Sequence, residues 1–331
     1  MNLHEYLINA ANSDKKRGIP ILSFPAAQKL GVTVGELVKN SELQARAMET
    51  VARETDTLAA VSLMDLSVEA EAFGAEVRFS SDEVPVVIGQ LVSDEASADA
   101  LEIPTLDKGR AKVCAEGIRL AKERITDKPV IAGMIGPYSL AGRLMDVTEI
   151  MYLCFDEPET VHTVLDKATE YLVSYGKLLK ESGADGIMMA EPLAGILSPA
   201  MAEEFSFPYV KRIVDALRGE NFAVIYHNCG NAVTEMLDGI FAQGASAYHF
   251  GNAVDMETVL KSAPSDIICM GNVDPVVEFA EGTPESMRAA VKTLLEKCGG
   301  YKNFILSSGC DIPAHANWDN INAFFEAAER E

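Results

Sequence analysis

The sequence predicts an α/β chain folded as a (β/α)8 TIM barrel, and three observations carry that reading. From about residue 58 onward, short apolar runs alternate with longer segments of helical period. Seven such units follow one another, and polar residues out of keeping with the apolar runs recur at their C-terminal ends. Seven or eight βα units in about 300 residues match a barrel, whereas a doubly wound sheet more often uses five or six.

The strands are read at LAAVSLM (58–64), PVIAGMIG (129–136), ADGIMMA (184–190), FAVIYH (222–227), ASAYHF (245–250), DIICMG (266–271) and NFILSS (303–308), with GIPILSF (18–24) as an extra N-terminal strand. Between them lie well-marked helices: TLDKGRAKVCAEGIRLAKERI, PETVHTVLDKATEYLVSYGKLLKESG and SPAMAEEFSFPYVKRIVDAL. Several begin with Ser or Thr followed closely by Pro or Glu, which is sound N-terminal chemistry. No Pro/Gly/Ser-rich linker, charge block or internal repeat divides the chain. Residues 1–331 are therefore read as one domain, with 1–57 as an N-terminal helical extension.

Composition bounds the function. A hydrophobic content of 48% in 331 residues is enough for a sizeable core. No apolar run approaches the roughly 20 residues needed to cross a bilayer, and the opening MNLHEYLINAANSDKKRG lacks a signal-peptide core. A cytoplasmic enzyme is the expectation. The balance of 28 Lys+Arg against 50 Asp+Glu gives a formal charge of -22, which repels phosphate backbones and anionic lipid surfaces. Nucleic acid and membrane are thus poor partners; the charge serves solubility or steers a partner with a basic docking face. The six cysteines form no CxxC pair and no framework spacing, so disulfides are not expected.

The strand-end polar residues are Asp65, Glu191, His227 with Cys229, His249 with Asn252, Asn272 with Asp274, and Cys310 with Asp311. Ends of different barrel strands meet in space, so residues more than 80 apart in sequence become neighbours. Within this set His227, Cys229 and Cys310 have the donor types zinc prefers, one imidazole and two thiolates. Three protein ligands leave a coordination position open, as in a catalytic site. There zinc would lower the pKa of a substrate thiol and hold it as a thiolate. HNCGN and SSGCDIP place each Cys in a tight turn after a buried strand, whereas Cys114, Cys154 and Cys298 fall in helical stretches and Cys269 inside an apolar run. Those four are read as packing residues.

The runs PVIAGMIGPYSLAGRLM, ADGIMMAEPLAGILSPAMAEEFSFPYVKRI, HNCGN, GNVDP and SSGCDIP resemble the uroporphyrinogen decarboxylase superfamily, and within it the methylcobamide:coenzyme M methyltransferase branch. The resemblance covers nearly the whole chain. It implies a (β/α)8 barrel, a zinc held by an HxC...C pattern falling on His227, Cys229 and Cys310, and methyl transfer from a methylated corrinoid to a small thiol such as coenzyme M. It further implies that the methylcorrinoid is carried on a separate corrinoid protein, which docks at the barrel mouth; no cobalamin-binding domain is evident in the chain. The decarboxylases of the superfamily carry a pair of arginines in an RQAGRY-like segment, where this chain has SFPAAQKLG, and a histidine where it has Cys310. MDLSVEAEAFGAEV does resemble the run around the decarboxylases' aspartate, at Asp65. Tetrapyrrole decarboxylation is therefore the rival activity, and a non-catalytic barrel that binds a corrinoid or a partner protein the third reading.

The remaining rim residues carry open alternatives. Glu191 is read as pointing into the mouth, where it would be a distant zinc ligand, an outer partner of His227 or a proton acceptor; otherwise it caps the helix after Ser198. Asp65 holds a substrate amine or hydroxyl, or caps the VEAEAFG turn. His249 and His315 are alternative metal donors. Asn272 and Asp274 orient substrate or serve turn chemistry. Arg143 is the rim cation for an anionic tail such as a sulfonate or carboxylate, or forms a surface salt bridge with Asp146.

Overall fold

The structure, a computed structural model, describes residues 2–13 and 15–330. Seven parallel strands run in sequence order: β1 (Ala60–Val61), β4 (Val130–Ile135), β5 (Gly186–Ala190), β6 (Ala223–Asn228), β7 (Ala247–Phe250), β8 (Ile268–Val273) and β9 (Phe304–Ser308). The two remaining strands, β2 (Glu76–Arg78) and β3 (Val86–Ile88), pair as an antiparallel hairpin in the β1–β4 connection. Sequence patterning misses this hairpin because its strands are three residues long and largely exposed.

All seven expected strands are present, and the gap between β9 and β1 is filled by the segment expected as an extra strand. Ile19 N–H donates to Leu306 O at 2.9 Å, and Leu58 N–H donates to Gly18 O at 2.9 Å. Ile21 N–H donates to the Ser308 hydroxyl at 3.0 Å. GIPILSF thus completes the barrel as an irregular eighth stave, with a single bridge at Gly18 and Leu306.

Strand alternation sorts the apolar residues into two cores. Val61, Ile131, Met188, Ile225, Ala247, Ile268, Met270 and Ile305 fill the barrel interior. Their neighbours in sequence, such as Val224, Tyr226, Tyr248 and Leu306, face outward to the helices. Leu3, Leu7 and Ala11 of helix Leu3–Ala11 join the interior cluster and plug the N-terminal end, where the Tyr6 hydroxyl donates to Leu58 O at 2.9 Å. The other end is left for loops. Helix Pro158–Glu181 is a long outer helix, while Pro137–Met145 and Val147–Asp156 are inserted between β4 and that helix. The segment expected as one helix from Ser198 is two, Pro199–Phe205 and Phe207–Leu217, with Ser198 accepting from Met201 N–H and Pro199 at the first helical position.

Candidate metal centre

The alternation that builds the core also builds the site. In β6, Ala223 and Ile225 face the barrel axis, so His227 does too, and one step beyond the strand the parity returns at Cys229. Cys310 follows β9, three strands round the barrel from β6. Ligand atoms of His227, Cys229 and Cys310 all lie within 4.8 Å of one another, with His227 Nε2 3.6 Å from Cys310 Sγ. A tetrahedral ion with sulfur at about 2.3 Å and nitrogen at about 2.0 Å sets those two atoms about 3.5 Å apart, so this pair fits zinc in spacing and the three donors fit it in type. The hydrogen bond between the two thiols lowers Cys229 to about 7, while the same bond and burial push Cys310 up to about 12.

Local structure holds these side chains in place. Asn228, pointing away from the axis, donates to the Tyr226 hydroxyl at 3.0 Å and accepts from Gly230 N–H at 2.9 Å, which fixes the turn carrying Cys229. The glycines around it serve close approach rather than a left-handed backbone. A Cβ on Gly230 would meet Gly195 backbone at 2.3 Å, and one on Gly251 would meet Cys229 Cα at 2.5 Å.

His249 does not join the ligands. It pairs in register with His227 across β6 and β7, is fully buried, and sits behind His227 with Nδ1 2.8 Å from His227 Nδ1 and Nε2 2.7 Å from the Ser307 hydroxyl. Burial holds its pKa well below the ordinary range. His315 is exposed and lies outside the ligand cluster. Cys154, Cys269 and Cys298 belong to the outer apolar core and Cys114 packs against it; burial raises all four thiols, to about 11 or 12.

Glu191 corrects an expectation. Its neighbours Met188 and Ala190 face the axis, so Glu191 faces the helices. It is fully buried, accepting from Ser139 N–H at 3.0 Å and from the Ser206 hydroxyl at 3.4 Å. It therefore caps helix Pro137–Met145, neither reaching the mouth nor capping the helix after Ser198. Burial pushes its pKa to about 8.

Asp65 takes the turn role and adds an ion pair. It accepts from Ser67 N–H at 3.1 Å and the Ser67 hydroxyl at 2.6 Å, and it is salt-bridged to Arg110, which also binds Glu71 at 2.6 Å. Arg110 had no signal in the sequence, because it precedes a helix some 45 residues away and only the fold brings it to Asp65. Glu69 escaped notice as well; it is fully buried, receives Ile135 N–H at 3.0 Å, and its pKa is raised to about 7 by burial.

Asn272 donates to Gly251 O and Val254 O at 2.9 and 2.7 Å. Asp274 accepts from Val276 and Val277 N–H and from Asn252. Both thus carry turn chemistry. Arg143 forms no salt bridge with Asp146, whose carboxylate instead caps helix Val147–Asp156. The Arg143 Nε is buried without a hydrogen-bond partner, burial lowers its pKa, and Glu69 and then Asp65 are the charges that oppose this. Asp311, beside Cys310, also has a buried unpartnered oxygen, and burial raises its pKa strongly.

The family model for uroporphyrinogen decarboxylase (URO-D) matches residues 8–331. The chain belongs to the uroporphyrinogen decarboxylase family. Within reach of that family, the chain is 31% identical over 269 residues to the methylcobamide:CoM methyltransferase MtbA of Methanosarcina mazei, covering 80% of this chain and 77% of the relative. It is 30% identical over 302 residues to the uroporphyrinogen decarboxylase of Desulfotalea psychrophila, covering 87% and 85%. A solved methyltransferase from Methanosarcina mazei shares the fold at a TM-score of 0.88, with 24% identity, 99% of this chain and 98% of that one covered. For a member of the uroporphyrinogen decarboxylase family, the barrel is thus the expected architecture, and the site must be argued from its own residues.

Proposed function

We propose that this family member is a methyltransferase that moves a methyl group from a methylated corrinoid to a small thiol, with CoM as the model acceptor. The observation that carries the reading is the convergence of His227, Cys229 and Cys310 in one ligand cluster at the barrel mouth. The similarity to methylcobamide:CoM methyltransferases supports it. So does the absence of both arginines of the decarboxylase pattern from SFPAAQKLG.

In this reading His227, Cys229 and Cys310 would hold one zinc ion. When bound, the ion supplies positive charge that lowers the pKa of an incoming thiol, making it a nucleophile at neutral pH. The chain's part is positional. His227 and Cys229 come from a strand end and its turn, Cys310 from the end of a strand three places round the barrel, and the apolar layers beneath exclude water from below. Arg143, a half-buried cation whose buried Nε has no hydrogen-bond partner, is the group for an anionic tail on the thiol. Asn272 and Asp274 shape the loop that the substrates meet.

The corrinoid is delivered by a separate protein to the mouth. In support, large apolar side chains are exposed on segments that follow strand ends: Val147, Tyr152 and Phe155 after β4, Ile196 after β5, and Val276 and Val277 after β8. No helix among the described residues is long and apolar enough to cross a membrane.

The test is elemental analysis of the purified protein beside Cys310→Ala. About one zinc per chain, lost in the variant, together with thiol-dependent demethylation of methylcobalamin, is the expected result. A folded wild type that takes up no zinc and demethylates nothing would move tetrapyrrole decarboxylation ahead.

A further inference from the structure

A chain of buried hydrogen bonds runs inward from the candidate metal centre, and the donors and acceptors along it assign its protons. At the inner end is the carbonyl oxygen of Ile19, which can only accept; the Ser307 hydroxyl lies 2.8 Å away and gives it its one proton. Ser307 Oγ must then accept from its other neighbour, His249 Nε2, at 2.7 Å. A buried ring with one proton has it on Nε2, so His249 Nδ1 carries a lone pair. That lone pair is 2.8 Å from His227 Nδ1, which must therefore bear a proton. His227 Nε2 is left bare, and this is the nitrogen that faces Cys310 Sγ at 3.6 Å.

We propose that His249 is a positioning residue for the metal site: by accepting the Nδ1 proton of His227 it fixes the tautomer and ring angle that present a bare Nε2 to the ion. Ser307 and the Ile19 carbonyl hold His249 in turn. The proposal rests on the metal-site reading above and adds a device to it. Three features of the fold make the chain possible. His227 and His249 stand opposite each other in register on β6 and β7, with their rings edge to face at a centroid distance of 4.6 Å. Ser307 is the inward-facing residue one step above Ile305 in β9. The Ile19 carbonyl belongs to the irregular stave, which has no regular partner to take up that oxygen and so leaves it to Ser307. His227, His249 and Ser307 are all enclosed, so no water competes for these bonds.

The test uses the full chain and two readouts. Zinc affinity is measured by competition with a chromophoric chelator for the wild type, His249→Leu and His249→Asn. Losing an outer hydrogen-bond partner of a ligating imidazole weakens metal binding on the order of 10- to 100-fold, which is the expectation for the Leu variant. The Asn variant offers its side-chain oxygen to His227 Nδ1–H and should recover most of the loss. Independently, the long-range 1H–15N spectrum of 15N-histidine-labelled, metal-free wild type should show His227 protonated at Nδ1 and bare at Nε2. Equal zinc affinity in wild type and the Leu variant, or a wild-type His227 protonated at Nε2, overturns the proposal. Because the spectrum needs neither a variant nor a metal, it decides the matter even if His249→Leu does not fold. A wild type that has the expected tautomer yet binds no zinc refutes the metal-site reading and leaves the hydrogen-bond chain standing.

Discussion

Glu191→Gln separates a helix cap from a catalytic base, and the structure sets the size of its effect. The carboxyl is fully buried and its pKa stands at about 8 against an ordinary 4.5. The folded protein therefore holds this proton more tightly than the unfolded chain does. Its contribution is present at low pH and is lost as pH rises through the interval from about 4.5 to 8. At 1.36 kcal/mol per pKa unit, the loss is under about 1 kcal/mol at pH 5 and reaches about 4 kcal/mol by pH 8. A glutamine copies the protonated acid: its oxygen accepts from Ser139 N–H and its amide donates toward Ser206, with no charge to bury. Urea unfolding of wild type and Glu191→Gln between pH 5 and 8 should therefore show the variant gaining on the wild type by about 3 kcal/mol across the range. Zinc content and methyl transfer should stay within about threefold, since the side chain faces the helices. A parallel pH dependence in the two proteins would refute the buried-acid account. A loss of two or more orders of magnitude in turnover, with zinc retained, would return Glu191 to the mouth as a base.

Three further outcomes follow from named contacts. Asp65→Ala leaves Arg110 buried with Glu71 as its one charged partner among the described residues and should cost about 3 kcal/mol in chemical unfolding, with zinc content unchanged. Arg143→Ala should raise KM for an anionic thiol about tenfold while leaving kcat, and KM for 2-mercaptoethanol, near wild type; an equal rise for both thiols would rule out a role in reading the tail. Gly230→Ala drives a methyl group into the backbone of Gly195 and should lower stability by about 1–3 kcal/mol and loosen the turn under Cys229, read as weaker zinc retention against a chelator.

Much of the molecule was legible in the sequence because it depends on local pattern. Apolar runs of strand length between helical segments announced all seven parallel strands to within a few residues, and the irregular stave at GIPILSF was visible for the same reason. The meeting of His227, Cys229 and Cys310 was legible too. HxC after one strand and a Cys after another bring the right donor types to the same end of a barrel whatever the details of packing.

What the sequence could not decide depends on direction and on distance. Glu191 was placed at the right strand end but on the wrong face: a strand turns successive side chains by half a rotation, so one position separates the mouth from the helix layer. Asp65 and Arg110 are 45 residues apart, and no local pattern links an aspartate after β1 to an arginine ahead of a helix. His249 looked like a spare ligand because imidazole is a good donor anywhere. Only the register of β6 against β7 puts it behind His227, where Ser307 and the Ile19 carbonyl fix which nitrogen carries the proton. Sequence determined which chemical groups reach the rim of this barrel, since strand length and spacing are local properties. Tertiary structure alone decided which of those groups face one another, since that is set by parity and register among strands far apart in the chain.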